Sequence, residues 1–242
     1  MGGLEIAWPD EGVERVRAAR GRLLQAGEGL RSRPFEDRLA AVTQVLGDWT
    51  APDSPWRREL TSALASATPF EPGTLREGLD SALRAWDPQA FADCARQELA
   101  AEGRSLAPFD WTTVVAGGAI PMPTILSSLL PLVAGSPVLL RQTSKDPVTA
   151  GLVRRSLAAR DESIARCFEC IAFPTSDRAA FEAALAAPCV AATGSDETIR
   201  SIARQLTPTQ RVGAYGHRFS IAVIGRSIAT DAALLQSVAE GL

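Results

Sequence analysis

Residues 114–147 run VVAGGAIPMPTILSSLLPLVAGSPVLLRQTSKDP. A β-branched apolar segment passes through a small-residue turn into a helix-like apolar run. A second buried strand follows, and then a basic, hydroxyl-rich loop closed by Asp146-Pro147. Strand, crossover helix and strand make a βαβ unit. A unit of this kind holds a dinucleotide at the ends of its strands.

Working outward towards the C-terminus, further β-branched runs alternate with helical patterns. The expected strands are Thr112–Ala116, Val138–Arg141, Cys170–Phe173, Cys189–Ala192, Val212–Tyr215 and Ser220–Ile224. Strands separated by helices of about ten residues or more imply crossovers, hence a parallel, doubly wound α/β sheet. The last two runs lie too close for a crossover helix, so one of them is a linker or an antiparallel edge. From Ala229 to Leu242 the pattern turns helical again.

Towards the N-terminus, residues 1–108 read almost entirely as helices. Val13, Val16, Leu23, Leu24 and Leu30 recur through Glu11–Arg31, and Leu39, Val42, Val45 and Leu46 through Pro34–Trp49,. Ser54-Pro55 pairs an N-cap with a first-turn proline and opens a helix reaching Ala67. Thr74–Trp86 and Asp87–Ala101 begin on cap-like Thr74 and Asp87-Pro88. The tryptophans Trp8, Trp49, Trp56, Trp86 and Trp111 fall mostly near helix ends, where they plug corners between helices,.

Composition narrows the class. At 242 residues and 46% hydrophobic the chain can bury a sizeable core,. Its 25 basic residues are scattered among 28 acidic ones with no basic stripe, which argues against a nucleic-acid partner,. The start, Met1 to Ile6, lacks a basic region followed by an apolar core, so no signal peptide is expected,. The longest apolar stretch, Ala119–Gly135, contains Pro121, Pro123 and Pro131 and falls short of a membrane span,. Four cysteines without an export signal suit reduced thiols in a cytoplasm,.

Three segments lie at the carboxyl ends of expected strands, where open α/β sheets bind ligands. The first is Gly117-Gly118-Ala119-Ile120-Pro121. Its glycines allow close approach to backbone and Pro121 fits a first helical turn,; the alternative is a tight turn with no ligand. The second, Arg141-Gln142-Thr143-Ser144-Lys145, offers two cations and two hydroxyls before Asp146. That balance tilts towards a 2′-phosphate and NADP(H). Its alternative is a solvated loop in which Asp146 caps a helix opening at Pro147. The third, Thr193-Gly194-Ser195-Asp196-Glu197, combines a sharp turn, a capping Ser195 and first-turn acids,. Its free N–H groups suit a pyrophosphate or the nicotinamide end, or serve simple capping.

This ordered set resembles the cofactor domain of the aldehyde dehydrogenase superfamily, and more closely the LuxC-type fatty acyl-CoA or acyl-protein reductases. The matching residues are Ala116–Pro121, Leu140–Pro147, Thr193–Glu197 and Gly216-His217-Arg218-Phe219-Ser220. The resemblance implies an aldehyde-dehydrogenase-like, Rossmann-type sheet at 109–226 behind a helical region at 1–108. Residues 227–242 would form a helix leading to a catalytic domain missing from the chain. It implies NADPH as cofactor, a fatty acyl-CoA or acyl-protein thioester as substrate, and a homo-oligomer as the full-length form. Gly117, Gly118, Ile120 and Pro121 would run beside the cofactor, and Arg141 would stand where a lysine contacts the adenosine ribose. Ser144 would replace a glutamate that holds both ribose hydroxyls, leaving room for a 2′-phosphate beside Thr143 and Lys145. Thr193, Gly194 and Ser195 would pack on the nicotinamide half, with Gly216 nearby.

Two departures shape the expected chemistry. Aldehyde-oxidising relatives carry a water-activating glutamate where this chain has Ala214, and a missing base there favours reduction of a thioester over its hydrolysis,. The resemblance also implies an acyl-accepting cysteine in a separate catalytic domain downstream of the Gly216 segment, beyond Leu242, and Cys94, Cys167, Cys170 and Cys189 match no such position. Backbone N–H groups near that cysteine would stabilise the oxyanion. Cys167 and Cys170 have redox or zinc-knuckle spacing without a second pair, so they are read as structural thiols and no metal is expected,. His217 is the only histidine, and no nucleophile elbow accompanies it,. A catalytically inactive nucleotide-binding or interaction module is the competing reading, and an unrelated hydrolase or thiol redox protein a third.

Overall fold

A computed structural model describes residues 12–99 and 107–216, together with positions 225, 233, 234 and 236. Five helices come first: α1 (Gly12–Ser32), α2 (Phe35–Thr50), α3 (Pro55–Ala67), α4 (Pro72–Arg84) and α5 (Pro88–Leu99). In α2, Leu39, Val42, Val45, Leu46 and Trp49 recur every three or four positions, and all are buried,. Ser54 Oγ accepts the Arg57 N–H at 3.2 Å and caps α3,. Asp87 Oδ1 accepts from the N–H groups of Gln89 at 2.8 Å and Ala90 at 3.2 Å, capping α5. Thr74 is no cap. The helix begins behind it at Pro72, whose fixed φ starts a helix without a side-chain acceptor,.

The second part alternates: β1 (Thr112–Val115), α6 (Pro121–Val133), β2 (Val138–Arg141), α7 (Thr149–Arg160), α8 (Glu162–Ala165), β3 (Phe168–Ile171), α9 (Arg178–Leu185), β4 (Cys189–Thr193), α10 (Asp196–Ala203) and β5 (Arg211–Tyr215). The sheet has five strands in the order β3-β2-β1-β4-β5, every pair parallel. This is the doubly wound α/β sheet expected from the sequence.

The larger boundary differences from expectation are in β3 and α7. β3 starts at Phe168 rather than Cys170, because fully buried Phe168 takes the register opposite Val138. Phe173 falls beyond the strand, where Pro174 cannot continue a ladder, and packs edge-on against Phe181,. The helix expected from Pro147 starts at Thr149, since Asp146 Oδ1 accepts from the N–H groups of Val148 at 3.3 Å and Thr149 at 3.0 Å. Of the last two expected runs, the one at 212–215 is a strand parallel to β4, as part of β5. Trp8, His217 to Ser220, the strand expected at Ser220–Ile224 and most of Ala229–Leu242 lie outside the described residues.

Side chains alternate between two cores. Val114, Val138, Leu140 and Phe168 face a cluster built with α2, α3, α6 and α7. Val115, Leu139, Ile171, Val190 and Ala192 face one built with α1 and α9,. The early helices therefore lie on the sheet: α2 contacts α6 and α7, and α1 contacts α9, β2 and β3. Trp49, fully buried, donates its Nε1–H to Ser156 Oγ at 3.0 Å and ties α2 to α7. Arg38, 9% exposed, donates to the carbonyls of Val133 at 3.0 Å, Leu30 at 3.4 Å and Arg33, joining the ends of α1 and α6.

α6 ends on Gly135, whose φ of 84° is left-handed. The Ser136 N–H donates to Pro131 O at 2.9 Å and the Gly135 N–H to Leu132 O at 3.1 Å, the paired bonds of a Schellman ending,. That turn delivers the chain straight into β2. Ser136 Oγ bonds Thr112 Oγ1 at 2.7 Å, aligning the starts of β1 and β2. No helix among the described residues is long and apolar enough to cross a membrane.

Candidate nucleotide-binding site

Because the strands are parallel, their carboxyl ends share one rim. Val115 lies opposite both Arg141 and Ala192, and Thr193 lies opposite Tyr215. The Ala116 N–H donates to Arg141 O at 3.2 Å, and the Gly194 N–H to Tyr215 O at 3.2 Å, so pairing continues past the strand ends. From β1 the chain crosses to β2 on one side, whereas β4 on the other side leads away to β5. The order reverses between β1 and β4, the place where such sheets bind ligands. α6, α7 and α10 all begin at this rim, which sets positive dipole ends around it,.

Gly117 brings the first and third loops into contact. A Cβ there would stand 2.1 Å from Thr193 O and 3.1 Å from Gly194 Cα, so only glycine admits the approach,. Gly118 has φ of +81° and open space where a side chain would be. Ile120 is 66% exposed at the mouth, while Pro121 is buried in the first turn of α6. Ser195 Oγ accepts the Thr198 N–H at 3.2 Å and caps α10, with Asp196 and Glu197 in its first turn. Gly216 adjoins the same turn, since a Cβ on it would meet Asp196 Oδ1 at 2.5 Å.

The second loop is arranged differently from its neighbours. Arg141 Nη2 donates to Phe173 O at 3.0 Å and Thr175 Oγ1 at 2.9 Å, and its guanidinium lies 5.5 Å from the Phe173 ring centroid,. Burial lowers its pKa from the usual arginine value,. Thr143 is buried and its Oγ1 accepts the Lys145 N–H at 3.2 Å. Ser144 and Lys145 are exposed, while Asp146 is turned inward beneath α7. The grip on Arg141 reveals a fourth rim loop at 172–177 that the strand pattern missed. Its available signal was Pro174 followed by Thr175, Ser176 and Asp177 directly after an apolar run,.

None of the cysteines stands on the rim. Cys94 lies exposed on α5, Cys167 precedes β3, Cys170 is within β3 and Cys189 opens β4. Burial pushes the Cys167 thiol up to about 11, and also raises Cys170 and Cys189. Thiols kept protonated in this way are poor nucleophiles. Ala214 sits on exposed β5 and offers no base.

The family model described as acyl-CoA reductase (LuxC) matches residues 32–241. The chain belongs to the LuxC acyl-CoA reductase family. No curated protein sequence matches it significantly. Solved structures of similar fold include a NAD-dependent benzaldehyde dehydrogenase from Corynebacterium glutamicum (TM-score 0.65, 16% identity, 84% of this chain and 46% of that one). The putative aldehyde dehydrogenase PutA from Anabaena variabilis gives 0.66 at 17% identity over 86% of this chain and 44% of its own. Glyceraldehyde-3-phosphate dehydrogenase GapN from Methanocaldococcus jannaschii, complexed with NADP, gives 0.62 at 13% identity over 86% and 47%. The LuxC-family chain thus has the aldehyde dehydrogenase fold and spans less than half the length of these three structures. Its relatives point to an oxidoreductase.

Proposed function

We propose that this chain is the cofactor-binding portion of an NADPH-dependent acyl-CoA or acyl-protein reductase that makes a fatty aldehyde through a cysteine thioester. The observation that carries the reading is the contact of Gly117 with Thr193 at the β1–β4 reversal, beside three helix N-termini. When bound, the nicotinamide would supply the hydride.

The chain's own residues bind and orient. Gly117, Gly118, Ile120 and Pro121 form one wall; Thr193, Gly194, Ser195 and Gly216 form the other. Arg141, Thr143, Ser144 and Lys145 form the adenosine end, where within this loop the cation Lys145 is exposed and the carboxylate Asp146 is buried, a balance that favours a 2′-phosphate,. The Ala214 position, lacking a carboxylate, spares a thioester from base-activated water. The acyl-accepting thiolate is assigned to sequence outside this chain, because all four cysteines here lie away from the rim. That same feature supports the second reading, a catalytically inactive nucleotide-binding or interaction module.

Calorimetric titration tests the assignment. One NADPH per chain is expected to bind more tightly than NADH, with no loss of NADPH absorbance when fatty acyl-CoA is added to this chain alone. Turnover of NADPH by the chain carrying the whole reading frame separates the reductase from the inactive module. Absence of nucleotide binding contradicts the reductase and the nucleotide-binding module, and leaves only the interaction module.

A further inference from the structure

We propose that the outer edge of β3 takes an acidic, extended segment of a partner protein as an added strand. β3 ends the sheet on the side away from β5 and pairs only with β2. The Val138 N–H donates to Cys167 O at 2.8 Å and the Gln142 N–H to Ile171 O at 2.8 Å, so Cys167, Glu169 and Ile171 turn their backbone groups towards β2,. Phe168, Cys170 and Ala172 therefore turn theirs outward. Ala172 O confirms the sense, since Arg15 Nη1 reaches it from outside at 3.4 Å. Cys170 is half-buried, and among the described residues no other residue pairs with its outward N–H or C=O. An edge of this kind is a template for another strand.

The edge lies in a groove, with α1 against β3 on one face and α7 on the other. Two adjoining cavities of about 470 and 430 Å³ run along it and share Gln25, Ala26 and Arg166. Charge selects the occupant. Glu169, the carboxylate of the edge itself, is already held by Arg22 through two bonds of 2.6 and 3.1 Å,. Arg15 on α1 and Arg154 on α7 are exposed and pair with no carboxylate among the described residues. Both lie near enough to act on the Cys170 thiol. Arg166 reaches Glu162 only at 3.5 Å. Consecutive residues of an added strand point to opposite faces, so neighbouring carboxylates on it meet a free guanidinium on each side. A second copy of this chain fits poorly. Paired edge to edge about a two-fold axis normal to the sheet, it would set Arg154 against Arg154.

The probe is a fluorescein-labelled heptapeptide, Val-Glu-Glu-Val-Glu-Glu-Val, followed by anisotropy at low salt. It binds the unaltered chain, and the same peptide with Lys in place of Glu does not. Arg154→Glu and Arg15→Glu, both at exposed positions, each weaken it by about tenfold or more with Tm unchanged. Methylating alternate backbone amides of the peptide, in either register, abolishes binding at unchanged charge. Adding the unmodified peptide slows hydrogen exchange at the Cys170 N–H. Equal binding of the methylated peptides would show a basic patch that takes polyanions without strand addition, and would overturn the proposal. So would full binding by Arg154→Glu, or no binding by the unaltered chain. Slow exchange at Cys170 in the free chain gives the edge to another occupant: a second copy if the slowing grows with concentration, the chain's own residues if it does not. Either result overturns the proposal. The cofactor reading stands or falls separately, on nucleotide titration.

Discussion

Gly117 and Arg38 show how much rests on single residues. Gly117 has Thr193 O where a Cβ would go, at 2.1 Å, and the obstacle is backbone rather than a side chain that can swing aside. Gly117→Ala must separate the β1 and β4 walls, and we expect it to cost about 2–4 kcal/mol in urea unfolding. Gly118→Ala next door, with open space but φ of +81°, is expected to cost only about 1 kcal/mol,. Equal effects would contradict the contact. Arg38 works through hydrogen bonds: it supplies a cation to carbonyls at two helix ends,. Arg38→Met keeps much of the packing and removes the desolvated charge, which recovers part of the loss. About 2 kcal/mol of net destabilisation is expected from the unpaired carbonyls, read from the unfolding midpoint. A neutral result would show that desolvation outweighs the bonds.

At the scale of elements, α8 carries a pH signature. Burial alone would raise the Asp161 carboxyl, but hydrogen bonds from Ser163, Arg33 and the Ile164 N–H outweigh it and hold the group at about 2, against an ordinary 3.8. A depressed carboxylate stabilises the fold above its unfolded value, and that contribution fades as pH falls from about 4 through about 2,. Across that window Tm should fall with pH more steeply in the unaltered chain than in Asp161→Asn,. Parallel curves would contradict the pairing.

Elements were also where the sequence was most legible. α2, α3 and α5 followed from apolar spacing and from Ser54 and Asp87, and the sheet from β-branched runs at crossover spacing. What stayed hidden was tertiary. Phe173 has strand composition but is buried beyond the ladder by Pro174 and Phe181. Thr74 looks like a cap until Pro72 starts the helix earlier. The site's glycine turn and its hydroxyl loop were visible as motifs, whereas the difference between Arg141 and Lys145 depends on Thr175, more than thirty positions away. No local pattern encodes that distance.

Among the described residues a parallel sheet is covered on each face by early and late helices together, with the loops after its strands gathered on one rim. The N-terminal helices serve this rim indirectly: by covering both faces they fix the strand ends whose loops form the candidate site. The family match and the shared fold agree with an oxidoreductase; the nucleotide laid across the β1–β4 reversal is our proposal. Hydrogen–deuterium exchange with and without saturating NADPH tests that placement most directly. Protection confined to residues 117–121, 142–146 and 193–197 is the predicted result. Protection at the amino ends of the strands instead, or none anywhere on the rim, would contradict it.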